Sequence, residues 1–372
     1  MTSTISARAA VLRSSEAPFR IERVNIEAPR SDEVLVRIVA TGICHTDMVM
    51  RDQALPTPQP VVLGHEGAGI VEAVGVDIFH VQPGDHVVLA FNSCGHCASC
   101  NDLAPAYCVE FGPRNFMGSR PDGTSPLSGE GGLIHANIFG QSSFATHAIA
   151  RGRNTVKVSK DVPLERLGPL GCGVMTGAGA VMNALQVRTG SSIAIFGTGA
   201  VGLSAVMAAK AVGATTIIAV DINKDRLDLA RESGATHTIP ATRPDLAAAL
   251  TEATEGHLNY AIDTTARPGV IRTAADALGP CGVLGLVGAS APGDELNFDA
   301  DLIMSGGRVV RGIVEGDADP HVFIPKLVAL HAEGRFPFDR LIRYYRFEDI
   351  NTALLDGEQG RTVKPVLRIG EI

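Results

Sequence analysis

The chain has 372 residues, 40 acidic against 32 basic, with 45% apolar residues, 19% charged residues and no tryptophan. That length suggests two domains, or three at most. A net charge of −8 leaves no basic face for nucleic acid, and ordinary apolar content with few charges excludes a disordered chain.

Residues 1–15 carry Arg8 and Arg13 and could imitate a transit peptide. They lack an apolar h-region, however, and run straight into strand-like sequence. Runs at 33–39, 69–75 and 86–89, the last announced by Gln82-Pro83-Gly84-Asp85, alternate with period two between Gly and Pro signals. They predict a compact, mostly antiparallel β domain. Residues 111–140 turn to Gly, Ser, Pro and Asn without periodicity, which predicts a long surface or pocket-lining loop. The uncharged run 167–187 contains five glycines and does not read as a membrane span.

From about residue 174 the pattern changes. Strand-like runs at 192–196, 216–220, 260–263 and 282–287 alternate with helical stretches at 200–212 and 225–234, the signature of a doubly wound parallel sheet. A helix at 322–333 and a last strand at 363–369 follow. The layout expected is a β-rich domain over 1–173, an inserted parallel α/β domain over 174–314, and a C-terminal return over 315–372.

Seven cysteines are too few and too clustered for a disulfide scaffold. Cys94, Cys97, Cys100 and Cys108 lie within fifteen residues, while Cys44, Cys172 and Cys281 stand alone. Such a cluster in a reducing, cytoplasmic compartment reads as metal ligation. Four thiolates can close tetrahedrally on one zinc and leave no open position, which makes the site structural. Spacing alone leaves an iron–sulfur cluster open. Within the cluster, His96 reads as a solvent-facing spacer.

Gly197-Thr198-Gly199-Ala200-Val201-Gly202 is a G-x-G-x-x-G that follows a strand and opens a helix, and Asp221 ends the next strand nineteen residues on. The glycines let backbone approach a pyrophosphate, the helix start favours its charge, and Asp221 accepts from ribose hydroxyls. Asp221 would repel a 2′-phosphate, and Ile222 and Asn223 offer no cation, so NAD is expected rather than NADP. Cys44, His65 and Cys172 matter only if they meet in space. Two Cys and one His are then the ligand set of a catalytic zinc, with Asp47 orienting His65 through its second nitrogen.

Together these segments resemble the zinc-dependent medium-chain alcohol dehydrogenases. The resemblance rests on G-H-E at 64–66, the four-cysteine lobe at 94–108, G-C-G-V-M-T-G at 171–177, and G-T-G-A-V-G followed by V-D-I-N-K-D at 220–225. It covers nearly the whole chain. G-I-V-E-G-D at 312–317 and G-R-F-P-F at 334–338 make it most similar to the bacterial aryl-alcohol (benzyl alcohol) dehydrogenases.

The resemblance implies a GroES-like catalytic domain and a Rossmann nucleotide-binding domain, with two zinc ions per chain and NAD. Cys44, His65 and Cys172 would hold the catalytic zinc, with Glu66 behind it. Zinc acts as a Lewis acid on the alcohol oxygen and favours the alkoxide, and hydride passes to the nicotinamide. Thr46 takes the first proton. His45 and Arg361 would meet the pyrophosphate, Arg226 the adenosine ribose, and Thr176, Val201 and Val287 would back the nicotinamide.

Liver-type members carry a histidine at the end of their proton relay, where this chain has Val49. Val49, Leu55, Ala90, Phe139 and Val314 would form an apolar wall suited to benzyl or cinnamyl alcohol, or to terpenes such as geraniol and perillyl alcohol. Leu55 and Gly112 stand where a glutathione-dependent formaldehyde dehydrogenase needs charge, and the intact Cys and His set argues against a zinc-free quinone reductase. Partners expected are a small alcohol or aldehyde and further copies of the chain, as a homodimer or homotetramer joined near 302–313, with no nucleic acid and no membrane.

Overall fold

A computed structural model describes residues 4–15, 17–291 and 293–370. Residues 1–3, where the transit-like start begins, and residues 371–372 of the expected C-terminal return lie outside the described residues. The chain divides into two compact units: Met1–Cys172 with Asp319–Ala332 and Asp339–Ile372, and Gly173–Ala318 with Glu333–Phe338. Glu333–Phe338 thus joins the second unit from inside the stretch expected to return to the first.

The first unit is built on two sheets. One runs in the order Val61–Val62, Thr4–Leu12, Arg20–Glu27, Leu127–Gly129, Gly132–Ile134. The other runs Thr155–Lys157, His86–Leu89, Glu66–Val74, Glu33–Gly42, Lys364–Arg368, Ile342–Arg346, and His147–Arg151 also pairs with Glu33–Gly42. Pairing is antiparallel except between Ile342–Arg346 and Lys364–Arg368, which are parallel with the helix Ile350–Glu358 between them. Alternate residues of Glu33–Gly42, namely Val34, Val36 and Ile38, enter one apolar cluster with Val71, Val87 and Leu89. These residues share one face because a strand's side chains alternate, and Leu35 and Val39 on the other face are buried as well.

The second unit holds a six-stranded, all-parallel sheet in the order His237–Pro240, Thr216–Asp221, Ser192–Phe196, Tyr260–Asp263, Val283–Leu286, Val309–Gly312. Numbered along the chain this is 3-2-1-4-5-6, the doubly wound dinucleotide-binding order. The helix Ala200–Val212 follows the first strand, and Phe196, Ile218, Val220, Leu250, Ile271 and Leu284 pack the core. Among the described residues, no helix is long and apolar enough to cross a membrane.

The stretch 111–140 departs from the loop expected there. It contains the helix Phe111–Phe116, the strand pair Leu127–Gly129 and Gly132–Ile134, and a tight turn at Ile138–Gly140. Buried polar groups supply its order in place of apolar periodicity, and these leave no repeating pattern in sequence. Arg120 is 1% exposed. Its Nε and one terminal nitrogen donate to the two Glu33 oxygens at 2.7 and 3.0 Å, and the other terminal nitrogen donates to Glu27 at 2.7 Å.

Removing one member of a buried ion pair strands its partner, at a cost of about 3–5 kcal/mol. Arg120→Ala is therefore expected to lower unfolding free energy by about that amount, measured by denaturant titration. A change under about 1 kcal/mol would mean that Glu33 has another partner adequate to hold it.

Candidate active site and nucleotide loop

The helix His45–Arg51 begins directly after the strand Glu33–Gly42, and Cys44 is its N-cap. One oxygen of Asp47 accepts from the Cys44 backbone N–H at 3.0 Å. The other accepts from Gly64 N–H at 3.1 Å and contacts His65 Nδ1 at 3.0 Å. A single buried carboxylate therefore ties the helix start to the loop that carries His65. Cys172 reaches the same place because the turn Gly168–Gly171 lies hard against the sheet. A Cβ on Gly171 would stand 2.1 Å from the Leu89 carbonyl oxygen, so only glycine permits this approach.

The ligand atoms of Cys44, His65, Glu66 and Cys172 all lie within 4.8 Å of one another. His65 is fully buried, and its Nε2 has no hydrogen-bond partner. With Nδ1 engaged by Asp47, Nε2 is left as a free lone pair beside two sulfurs. An enclosed nitrogen without a partner is costly unless something binds it. Two thiolates and one imidazole fit a zinc ion with a fourth position open.

The lowered Cys44 thiol agrees with that, whereas the raised His65 imidazole means that a proton competes with a metal for Nε2. A hydrogen bond from Cys172, together with His65, holds the Cys44 thiol well below its ordinary range in spite of burial. Burial pushes His65 down, but Asp47 outweighs it and raises the imidazole well above its usual value.

Glu66 is fully buried and faces a cation that the sequence pattern did not disclose. Lys364 Nζ, 2% exposed, lies 2.9 and 3.0 Å from the two Glu66 oxygens and donates to the Ile43 carbonyl at 3.2 Å. Its one sequence signal is a lysine at the start of the last strand, before the apolar run 365–367. Burial raises the Glu66 carboxyl even so.

The four-cysteine lobe is a second convergence, with all four sulfurs within 4.8 Å of one another. Cys94 and Cys100 stand 3.8 Å apart and Cys97 and Cys108 4.0 Å apart. Tetrahedral zinc–sulfur bonds of about 2.3 Å set sulfurs about 3.8 Å apart. Backbone N–H groups of Cys94 and Glu110 donate to Cys108, those of His96 and Cys97 to Cys94, and that of Gly95 to Cys100. Donors from Val109 and Cys100 bring the Cys97 thiol down to about 6, whereas burial pushes the Cys108 thiol up to about 12. His96 is exposed, with Nδ1 on the Cys94 carbonyl.

In the second unit Gly197 has φ of 87°, and Gly199 caps the helix Ala200–Val212. A Cβ on Gly202 would stand 1.8 Å from the Gly197 carbonyl oxygen, whereas one on Gly199 would meet no atom within 4 Å. The loop is thus tightly packed beneath and open at the helix start, which fits a phosphate there. Asp221 accepts from Thr198 N–H at 2.6 Å, Thr198 Oγ1 at 2.8 Å and Asn223 N–H at 2.8 Å. Thr198 was legible only as the variable position of the glycine motif.

Several residues expected at the sites are engaged otherwise. Arg361 pairs with Asp356 at 2.6 Å, while Arg226 has a buried Nε without a partner. Thr176 donates to Glu315 at 3.2 Å. His45 is exposed, and Val49 and Leu55 are half-buried in the first unit. Ala90 is fully buried and offers no surface to a substrate. Phe139 is 4% exposed, with its ring stacked on His65. Val287 and Val314 lie in the second unit.

Comparison with known proteins agrees with this geometry. The alcohol dehydrogenase GroES-like domain model matches residues 30–160, and the zinc-binding dehydrogenase model matches residues 200–332. The chain is 50% identical over 365 residues to a geraniol dehydrogenase of Castellaniella defragrans, covering 98% of each. It resembles the crystal structure of an alcohol dehydrogenase zinc-binding domain protein from Burkholderia ambifaria, with TM-score 0.98, 54% identity, and 99% and 100% of the two chains covered. It also resembles that of a benzyl alcohol dehydrogenase from Acinetobacter calcoaceticus, with TM-score 0.96, 48% identity, and 98% and 100% covered. With both domain models matched and a relative 50% identical along almost the whole chain, the chain belongs to the zinc-dependent medium-chain alcohol dehydrogenases.

Proposed function

We propose that the protein oxidises a primary aromatic or allylic alcohol of the benzyl alcohol type reversibly to its aldehyde with NAD, as an aryl-alcohol dehydrogenase. The observation that carries the reading is the enclosed, unpartnered Nε2 of His65 between Cys44 and Cys172. Zinc held by these three would supply the Lewis acidity that polarises the substrate oxygen, and NAD the hydride acceptor. Asp47 fixes the Nδ1–H tautomer of His65 and so keeps Nε2 free for the metal. Thr46 Oγ1, 3.8 Å from Cys44 Sγ, is the hydroxyl that receives the substrate proton. Val49 cannot carry that proton onward, so from Thr46 the proton would leave by the ribose hydroxyls of a bound nucleotide and water, or by another base.

In the second unit the loop 197–202 would hold the pyrophosphate, with Asp221 on the adenosine ribose and Arg226 near it; in the first, His45 offers an exposed imidazole and Arg361 a guanidinium already paired with Asp356. Lys364 holds Glu66 in place as a positioning residue. Val49 and Leu55 supply apolar wall. The four-cysteine lobe takes a second, structural zinc. Cysteines read as metal ligands rather than disulfides support a reducing, cytoplasmic setting. Copies of the chain would pair along Val309–Gly312, an edge strand beside the helix Ala300–Gly306, none of whose residues is buried.

A monoterpene alcohol is the second reading, favoured by the identity to the geraniol dehydrogenase along almost the whole chain. Steady-state kcat/KM for benzyl alcohol, geraniol and ethanol, each with NAD and NADP, separates the two. Burying a ring or isoprenoid chain is worth roughly 1.5–3 kcal/mol, so ethanol should be about 10- to 100-fold poorer. A maximum at benzyl alcohol with NAD supports the aryl reading, and one at geraniol moves the substrate to terpenes. No oxidation by zinc-replete protein overturns both.

Thr46→Ala should lower kcat by about 100-fold or more with zinc content unchanged; activity within about twofold of wild type would remove the relay role. Cys97→Ser should drop bound zinc from about two per chain toward one and lower the melting temperature. An unchanged metal count, read by atomic emission, would sink the structural-zinc assignment.

A further inference from the structure

The turn at 137–142 has an unusual backbone: Asn137, Phe139 and Ser142 take φ of 79°, 50° and 57°, and Gly140 takes 66°. Side-chain-bearing residues stay in this region only when their surroundings over-determine them. Here the surroundings are buried amides and hydroxyls. Asn154 Nδ2 donates to the carbonyls of Ala90, Phe139 and Gly140 at 3.0, 3.1 and 3.3 Å. Ser142 Oγ accepts from Ile138 N–H at 2.9 Å and donates to the Val62 carbonyl at 2.7 Å.

At the centre is Gln141, 2% exposed. Its Nε2 donates to the His65 carbonyl at 2.9 Å and to the Ala90 carbonyl at 3.2 Å, and its Oε1 accepts from Gly67 N–H at 3.0 Å. One side-chain amide therefore grips the peptide groups on both sides of Glu66. The contact needs a glycine opposite, because a Cβ on Gly67 would lie 2.7 Å from Ser143 Cβ and 3.0 Å from Gln141 Oε1. From the same turn, Phe139 lays its ring on the His65 imidazole, with centroids 4.5 Å apart and planes 23° apart.

We propose that Gln141 is a positioning residue for the zinc site: it locks the main chain of 65–67, while the turn it belongs to presses Phe139 on the His65 ring. This rests on the reading of Cys44, His65 and Cys172 as zinc ligands. Asp47 sets the ring's rotation through Nδ1, but it cannot stop the main chain beneath the ring from drifting. Ligand geometry must hold to within about 0.5 Å to keep a metal site competent. Loss of such supporting contacts weakens metal affinity by about 10- to 100-fold.

The test uses zinc-loaded wild type, Gln141→Met, Gln141→Glu and, as a stability control, Ile26→Ala in the strand Arg20–Glu27 of the other sheet of the same unit. Zinc release to a chromogenic chelator is followed over time, together with the visible d–d bands of the cobalt-exchanged proteins. In Gln141→Met one zinc per chain should leave at least about 10-fold faster while the other leaves at the wild-type rate, and the cobalt bands should shift. Gln141→Glu keeps the acceptor for Gly67 but sets a carboxyl oxygen against the His65 and Ala90 carbonyls, so its zinc should leave at least as fast as in Gln141→Met. Ile26→Ala should melt lower with release rates and bands unchanged.

Wild-type release and spectrum in Gln141→Met would reduce Gln141 to a purely structural role, whatever its melting temperature. If Gln141→Met does not fold, Gln141→Glu is judged by the same two readouts. A wild type that binds no metal beyond the four-cysteine lobe defeats the zinc-site reading and the proposal together. Two bound metals with an unaffected variant defeat the proposal alone.

Discussion

Burying ionisable groups is expensive, and the first unit buries Asp47, His65, Glu66 and Lys364 almost completely beside two thiols. Each is tolerable because of the next. Asp47 is compensated by His65 and two backbone N–H groups, and Glu66 by Lys364. Such a network is stable only when complete, since removing one member leaves another stranded in low dielectric. It also binds together parts of the chain far apart in sequence: the end of Glu33–Gly42, the start of Glu66–Val74, and Lys364–Arg368 from the C-terminus. A register slip of one residue in any of these strands would turn a charge into the wrong face.

The two sulfur-bearing sites are built on opposite plans. The four-cysteine lobe is almost self-contained within residues 94–108, and its sulfurs are held by the loop's own N–H groups. It needs nothing from the sheets except a place to attach. The Cys44, His65 and Cys172 set draws instead on a helix start, a strand start and a glycine turn, and its surroundings hold its geometry. The difference fits the proposed roles: a closed shell of four sulfurs would fix a loop, whereas three ligands would leave room for chemistry and need rigid support.

What could be read from the sequence follows this same division. The glycine motif, Asp221, the four-cysteine spacing and the helix Ala200–Val212 are encoded over a few residues, so local pattern carries them. The alternating strands and helices after residue 174 announced the parallel sheet for the same reason. Lys364, Gln141 and Arg120 were not legible, because each acts on groups 298, 76 and 87 residues away. Nothing near them in sequence marks a buried lysine or glutamine as different from a solvated one. Arg361 shows the same limit at short range: the resemblance offered it to a pyrophosphate, and its pairing with Asp356 was not legible.

The latch between Asp221 and Thr198 bears on how cofactor choice can change. Asp221 is usually considered for what it excludes, since a carboxylate and a 2′-phosphate repel each other. Here the same carboxylate also holds the glycine loop from below, through the amide and hydroxyl of Thr198. Exchanging it for a neutral residue would admit the extra phosphate and loosen the cradle in one stroke. If the loop 197–202 holds a dinucleotide as proposed, a route to the phosphorylated cofactor would need both a cation for the phosphate and a new anchor for Thr198.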